Sequence, residues 1–396
     1  MRIQNYIKGN SSLKEEIEIL RKPEEFEKVR DLWMGLQWNP YYDIDWLLFK
    51  YEQPWCKETP YVFLIKQNGC SKAIVAGEIK FLPIQFQIGY KRWQGPSLKT
   101  LFINRYGVLG ENDESLWSIL EPYFEDILIK GEVEAVLLRD FDLNSAVHKL
   151  KFSTLPAPCK YKINIIQEHW FIKNEKALFG HRKKHKKFWR HFNNYSNRIK
   201  RRLGEEPKIL NYRKSEDLKI LLKHTEEVSI KTWQRKFSNL EFLSNYIRDR
   251  YFHFLERGLM NAYLLYAEGI PVAFFHGIEY KGKFYGEVMG YDPNYHEEGV
   301  GTFLLGKVLE DQLSNSEKVY LIDFGAGNSE AKRHLCNLFY SIKDNYLVAP
   351  KLKFMALNTL RVIFLSIHIS TKKMLANIGL YHKIRSAWRY GLRKIS

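Results

Sequence analysis

Residues 284–313, FYGEVMGYDPNYHEEGVGTFLLGKVLEDQL, read as a strand, a turn and a helix in that order. Up to Tyr291 bulky and small residues alternate with period two, which predicts a strand. Asp292-Pro293-Asn294 carries turn chemistry, and beyond it Phe303, Leu304, Val308, Leu309 and Leu313 recur at helical spacing. The helix opens on Gly299-Val300-Gly301-Thr302. The first amides of a helix lack intrahelical acceptors and sit at the positive end of its dipole, and glycine lets an anion approach the backbone. The pattern fits a pyrophosphate cradle; an ordinary turn is the alternative. No lysine follows the second glycine, which argues against a nucleotide-triphosphatase loop. The lack of GxGxxG and the short strand-to-strand distance argue against a dinucleotide site.

Candidate side chains lie on either side of this stretch. Strand parity puts Tyr285, Glu287, Met289 and Tyr291 on one face and the small Gly286, Val288 and Gly290 on the other. A carboxylate among aromatics has its pKa raised by desolvation, which suits a general base, so Glu287 is a candidate; an exposed strand-edge carboxylate is the bland alternative. His276 shares its face with Phe274 and Ile278, which suits a hydrogen-bonded core histidine as well as a base. Downstream, residues 318–335, KVYLIDFGAGNSEAKRHL, place Asp323 at the end of an apolar run just before Gly325-Ala326-Gly327, either a strand-end functional group or a loop cap.

The rest of the chain extends the α/β pattern. A helix is expected over 15–37, and YVFLIKQNGCSKAIVAGEIKF (61–81) reads as a strand pair around Asn68-Gly69. A second pair, AYLLYAEGIPVAFFHGIEY (262–280), turns around Glu268-Gly269. Tyr61-Val-Phe-Leu-Ile and Tyr263-Leu-Leu-Tyr lie about half a chain apart, a hint of two copies of one α/β unit. A helix at 113–130, a strand from Glu134, and one long helix from about 173 to 203 are expected between them, the last carrying Phe188, Phe192, Tyr195, Ile199 and Leu203 as a single apolar stripe. The second half alternates strand 208–212, helices 215–233 and 239–257, three strands over 261–291, helix 300–313, strand 318–323 and a short helix after 328. Such an order builds helices on a mixed sheet.

The 396 residues carry 62 Lys+Arg against 45 Asp+Glu, a formal net charge of +17, with 45% hydrophobic residues, which excludes wholesale disorder. The excess is local. Residues 181–202 and 350–396 each hold ten Lys/Arg and no acid, and the remainder is close to neutral. No hydrophobic leader and no run of eighteen apolar residues is present, and Cys56, Cys70, Cys159 and Cys336 are scattered, which fits a reduced cytoplasmic protein. His181 and His185, at i and i+4, have no evident third ligand, so no metal is expected. There is no Gly-x-Ser-x-Gly elbow and no cysteine with a base beside it in sequence, so a covalent nucleophile is not supported. The apolar run 354–369, flanked by Lys351, Lys353, Lys372 and Lys373, suits attachment to an anionic membrane surface as well as burial on a domain.

His296-Glu-Glu-Gly299-Val-Gly301 resembles motif A of the GNAT acyltransferases, Gln/Arg-x-x-Gly-x-Gly/Ala, with His296 where Gln or Arg is usual. Leu321-Ile-Asp323-Phe-Gly325-Ala-Gly327 followed by Lys332 resembles the Asp-Phe-Gly-x-Gly…Lys segment of the CelD-like branch, associated with cellulose or exopolysaccharide operons and related to the Fem peptidyl transferases; the basic helix also resembles that branch. The resemblance implies transfer of an acyl group, acetyl first, from acyl-CoA without a metal. His296, Gly299, Val300, Gly301 and Thr302 would hold the cofactor, the strands at 285–291 and 318–323 would splay around its arm, and Glu287, Asp323, His276 and Lys332 are the catalytic candidates. It implies a small-molecule or lipid-linked sugar or amino-sugar acceptor of envelope or polysaccharide synthesis. Alternatives are Fem-like transfer from charged tRNA, the one nucleic acid considered, and a non-catalytic scaffold of a synthesis complex. The expected architecture is a mixed α/β fold of two tandem GNAT-like domains, 1–168 and 205–348, joined by a basic helix, 169–204, and ending in a basic helical tail, 349–396.

Overall fold

The structure, a computed structural model, describes residues 15–88, 91–162, 165–173, 177–203, 207–232, 235, 241–314, 319–327 and 330–380. The chain divides into two compact units, 1–166 with 341–390, and 167–340 with 391–396.

The first unit opens with β1 (Glu15–Leu20), α1 (Pro23–Glu27), α2 (Arg30–Leu36) and α3 (Ile44–Glu52). The helix expected over 15–37 is therefore corrected. Glu16-Ile17-Glu18-Ile19 alternates, and the segment pairs antiparallel with the next strand, Ile17 opposite Ile65, while Pro23 starts the first helix. There follow β2 (Thr59–Gln67), β3 (Cys70–Ile88), β4 (Lys91–Gly110), α4 (Glu114–Ile129), β5 (Ala135–Asp142) and β6 (Lys160–Lys162). The β2–β3 turn is the expected one, with Asn68 at φ 52° and Gly69 at φ 78°.

The second unit contains β7 (Gln167–Lys173), α5 (Ala177–Lys184), α6 (Lys186–Leu203), β8 (Lys208–Tyr212), α7 (Leu218–Ser229), α8 (Asn245–Glu256), β9 (Met260–Ala267), β10 (Ile270–Tyr280), β11 (Lys283–Tyr291), α9 (Val300–Ser314), β12 (Leu321–Ala326) and α10 (Glu330–Leu335). The expected single basic helix is two, meeting at His185. Its stripe is observed: Phe188, Phe192 and Ile199 are buried and Tyr195 half-buried, whereas the side chain of Leu203 lies outside the described residues. The chain continues into β13 (Leu338–Val348) and α11 (Leu352–Asn377), and residues 341–390 belong to the first unit.

Both units use one strand order. The first runs β1-β2-β3-β4-β5-β13 and the second β8-β9-β10-β11-β12-β7. Each is antiparallel except for one parallel pair, β4 with β5 and β11 with β12, bridged by α4 and α9 respectively. The hinted repeat is thus real, since β2 and β9 are the second strand of their sheets. The last strand of each sheet is distant in sequence from its neighbour: Ile342–Val348 of β13, which pairs with β5, returns to the first unit after the whole of 167–340, and β7, which pairs with β12, opens the second unit two helices before β8. The first core packs Trp117, Leu120 and Phe124 of α4 on Phe63, Val75, Leu101 and Ile103, and the second packs Val300, Phe303, Leu304 and Val308 of α9 on Tyr263, Phe275 and Phe284.

Candidate active site

In the second unit β11 and β12 pair only at Lys283–Leu321, Phe284–Ile322 and Tyr285–Asp323. Beyond that point β11 stays with β10 as far as Tyr291, opposite Ala273, and β12 stays with β7 as far as Ala326, opposite His169. The two parallel strands therefore part, and the gap has its apex at Tyr285 and Asp323. Along β11 the register with β10 jumps from Gly286–Gly277 to Val288–His276, which makes Glu287 the extra residue of a β-bulge. The bulge also corrects the parity reading. Met289 and Tyr291 pack with Phe284 in the cluster under α9, so they do not share the face of Tyr285.

The turn after β11 delivers the chain to α9. Asp292 caps it by accepting from Asn294 N at 3.0 Å, and Gly299 adopts φ 65°, a left-handed conformation that glycine takes without a Cβ penalty. Phe303 N donates to Gly299 O at 3.0 Å, closing the first helical turn, so the amides of Val300, Gly301 and Thr302 have no acceptor within the helix. No acidic residue lies in that turn. The glycines also make room for rings: a Cβ on Gly299 would meet Tyr195, and one on Gly301 would come within 2.8 Å of Tyr291 Cδ1. From α6, Arg198 Nη1 donates to Glu297 O at 3.2 Å, and Arg202 pairs with Glu298 and lies over Tyr295. Donors, small residues and nearby guanidinium groups fit a polyphosphate. His296 is exposed on the same turn, with Nδ1 3.2 Å from Tyr291 Oη. The corresponding helix of the first unit differs. Asp113 accepts from Leu116 N at 3.0 Å and Glu114 opens α4, so carboxylates already occupy its positive end.

The catalytic candidates have unequal surroundings. Asp323, at the apex, is buried, with Oδ1 2.6 Å from His169 Nε2 and 2.7 Å from Gly325 N. His169 is itself buried, and its ring lies within 2° of parallel to Tyr340 at 5.2 Å and near Phe171 at 4.7 Å. Lys332 Nζ donates to Gly325 O at 3.2 Å and Ala326 O at 2.8 Å, tying down the loop that follows Asp323. Burial pulls the Lys332 ammonium pKa down while Cys336 and Asp323 oppose that shift, and burial pushes the Cys336 thiol up to about 12, so this cysteine stays a neutral thiol.

Glu287 is no isolated carboxylate among aromatics. Arg250 of α8 grips it with two hydrogen bonds of 2.5 and 2.7 Å, both side chains largely buried. His276 is a satisfied core histidine. Thr225 Oγ1 spends its proton on Leu221 O at 2.7 Å, so His276 Nε2 donates to Thr225 Oγ1 at 3.3 Å and Nδ1 accepts from Tyr251 Oη at 2.8 Å. Burial drives its pKa down to about 3, which keeps the ring neutral. His181 and His185 reach the carbonyls of Leu335 and His334, and His181 Nδ1 accepts from Trp189 Nε1. Among the described residues no group of three metal-ligating side chains occurs.

The structure thus brings Asp323 and Lys332 together at the apex, with Glu287 two residues along β11, and puts His276 in the core behind Tyr251 and Thr225. His169 and Arg250 have no place in the sequence reading, and Tyr195 figures there only in the apolar stripe of the basic helix. No local signal marks His169, because its partner is 154 positions away and only the β7–β12 pairing joins them.

Residues 187–333 match the family described as Acetyltransferase (GNAT) domain. Comparison with curated proteins gave no match. Solved structures similar to the chain include FemX (11% identity over 76% of this chain and 90% of that one, TM-score 0.49). They also include a tandem GNAT protein from the clavulanic acid biosynthesis pathway (9%, 84% and 98%, TM-score 0.47) and a probable N-acyltransferase from Enterococcus faecalis V583 (13%, 86% and 74%, TM-score 0.39). By the family match, the chain carries a GNAT-type acyltransferase domain over residues 187–333.

Proposed function

We propose that the second unit transfers an acyl group, acetyl first, from acyl-CoA to an amine or hydroxyl of a sugar or amino-sugar intermediate of polysaccharide or envelope synthesis. The observation that carries this reading is the parting of β11 and β12 at Tyr285 and Asp323, beside a helix whose first turn carries no acidic residue. The amides of Val300, Gly301 and Thr302, with His296, hold the pyrophosphate, and the gap takes the pantetheine arm. Acyl-CoA supplies the thioester: the acceptor attacks its carbonyl carbon, the C–S bond breaks, and CoA leaves as the thiolate, which ends as the thiol by taking up the proton the acceptor gives up. At the bulge Glu287 has no partner on β10, which suits a backbone donor to the developing oxyanion. The Asp323–His169 pair receives the acceptor's proton, and Lys332 fixes the loop around it. The sugar acceptor is supported by the CelD-like pattern at Asp323-Phe-Gly325-Ala-Gly327.

The exposed Lys186, Lys187, Arg190 and Arg201 of α6 favour a second reading, aminoacyl transfer from charged tRNA. A thermal-shift screen against acyl-CoAs, charged tRNA and nucleotide sugars separates the readings, because a ligand of the native state raises its midpoint. A rise with acyl-CoA followed by thiol release on adding acceptor is expected. Salt-sensitive tRNA binding without CoA binding would favour the second reading, and no response to any of them would leave a non-catalytic scaffold.

A further inference from the structure

The helix α11 of the first unit has two unlike faces. Phe354, Asn358 and Leu365 are buried against that unit's core, and Arg361 lies over Tyr346 at 4.1 Å. On the other side Leu360, Ile363, Ile367, Met374 and Ile378 are exposed, between 46% and 59%. At 100° per residue these five fall within one narrow stripe. By length and composition the 26-residue helix is long and apolar enough to cross a membrane. Its buried face argues against spanning, since insertion would strip Phe354 and Leu365 from the core.

Charge identifies what the stripe meets. Exposed Lys353 lies beside the stripe, exposed Lys351, Lys372 and Lys373 lie on other sides of the helix, and no acidic residue occurs anywhere from 345 to 396, so the charge around the helix is wholly positive. Lysines at a helix N-terminus oppose the dipole, so the fold tolerates a local conflict there. Beside the helix, Trp93 of β4 packs its ring 5.3 Å from Phe364 and remains 40% exposed, and neighbouring Arg92 adds to the positive field at His368. Apolar stripe, flanking cations and a half-exposed tryptophan suit the boundary between headgroups and acyl chains. A second copy of the same face would oppose lysines with lysines, and nucleic acid would leave the apolar stripe uncovered.

We infer that this face of α11 docks the protein in the plane of an anionic membrane surface, the stripe entering the acyl boundary and the positive charge around the helix drawing it to acidic headgroups. The test uses the full chain and flotation with vesicles of phosphatidylcholine alone or mixed with phosphatidylglycerol. The account expects flotation only with the anionic vesicles, weakening as salt is raised. It expects Ile363→Glu/Ile367→Glu and Lys372→Glu/Lys373→Glu each to reduce binding about tenfold or more while leaving the thermal midpoint unchanged. Equal binding by these variants, binding to neutral vesicles alone, or no flotation together with a salt-stable dimer in sedimentation would overturn it.

Discussion

His169 Nε2 lies 2.6 Å from Asp323 Oδ1, a contact across the β7–β12 pairing at the point where β11 and β12 part. Gly325 N, donating to the same oxygen at 2.7 Å, fixes the carboxylate from the loop side. If the pair takes the acceptor's proton, Asp323→Asn lowers kcat by about 10²–10⁴ with little change in the KM for acyl-CoA. His169→Gln has a comparable effect, and the double variant is no worse than the poorer single one, because the two act together. Steady-state thiol release checks this, and a full rate in Asp323→Asn would remove the pair from the chemistry.

The bidentate Arg250–Glu287 contact ties α8 to the bulge of β11. Both partners are largely buried, so deleting one leaves an uncompensated charge. Arg250→Met is expected to lower stability by about 3 kcal/mol in urea titration. Arg250→Met/Glu287→Leu should recover a large part of that loss. Equal stabilities of wild type and Arg250→Met would show that the pair is solvated in solution.

Two buried histidines set an acid limit. His276, with its pKa down to about 3, and His181, down to about 4, both owe the shift to burial and lie below the ordinary histidine value of 6.5. Between those values and 6.5 the unfolded chain binds protons that the folded chain refuses, so stability is intact above pH 6.5 and falls as the pH drops towards 4. Each histidine contributes about 1.4 kcal/mol per pH unit in that window. Denaturant midpoints between pH 7.5 and 4.5 measure the slope, and His276→Gln should reduce it. An unchanged slope in that variant would mean that His276 titrates normally.

Gly306 of α9 lies against the ring of Phe192, and Phe192 stacks on Phe303 at 5.5 Å and 8°. Gly306→Ala sets two effects against each other. Alanine gains about 1 kcal/mol of helix propensity, while overpacking a filled site costs about 1–3 kcal/mol. The ring cannot move without disturbing Phe303, so net destabilisation is expected, partly relieved by Phe192→Leu. A more stable Gly306→Ala would show that α6 yields freely.

Much of this was legible in the sequence because it is local. Asn68-Gly69 and Glu268-Gly269 specify their hairpins through left-handed backbone, and the stripe of Phe188, Phe192 and Ile199 is a periodicity that the packing on α9 uses. What escaped is non-local or breaks a period. Strand β1 hid in a stretch whose apolar residues also fit a helix. The bulge at Glu287 shifts parity by one, which no composition rule reports, and it moved Met289 and Tyr291 to the other face. The completion of each sheet by a distant strand is invisible to a window of any length, and with it His169 was lost as the partner of Asp323.

The central claim, that the N-terminus of α9 holds the phosphates of acyl-CoA, is most directly tested by calorimetric titration of acetyl-CoA into wild type and Thr302→Glu. An acid in the first turn of a helix favours the helix dipole, so the variant should fold with an equal or higher thermal midpoint, while its charge repels the pyrophosphate. The account predicts measurable binding to wild type and a loss of about tenfold or more in the folded variant. Equal affinity in the two proteins would contradict it.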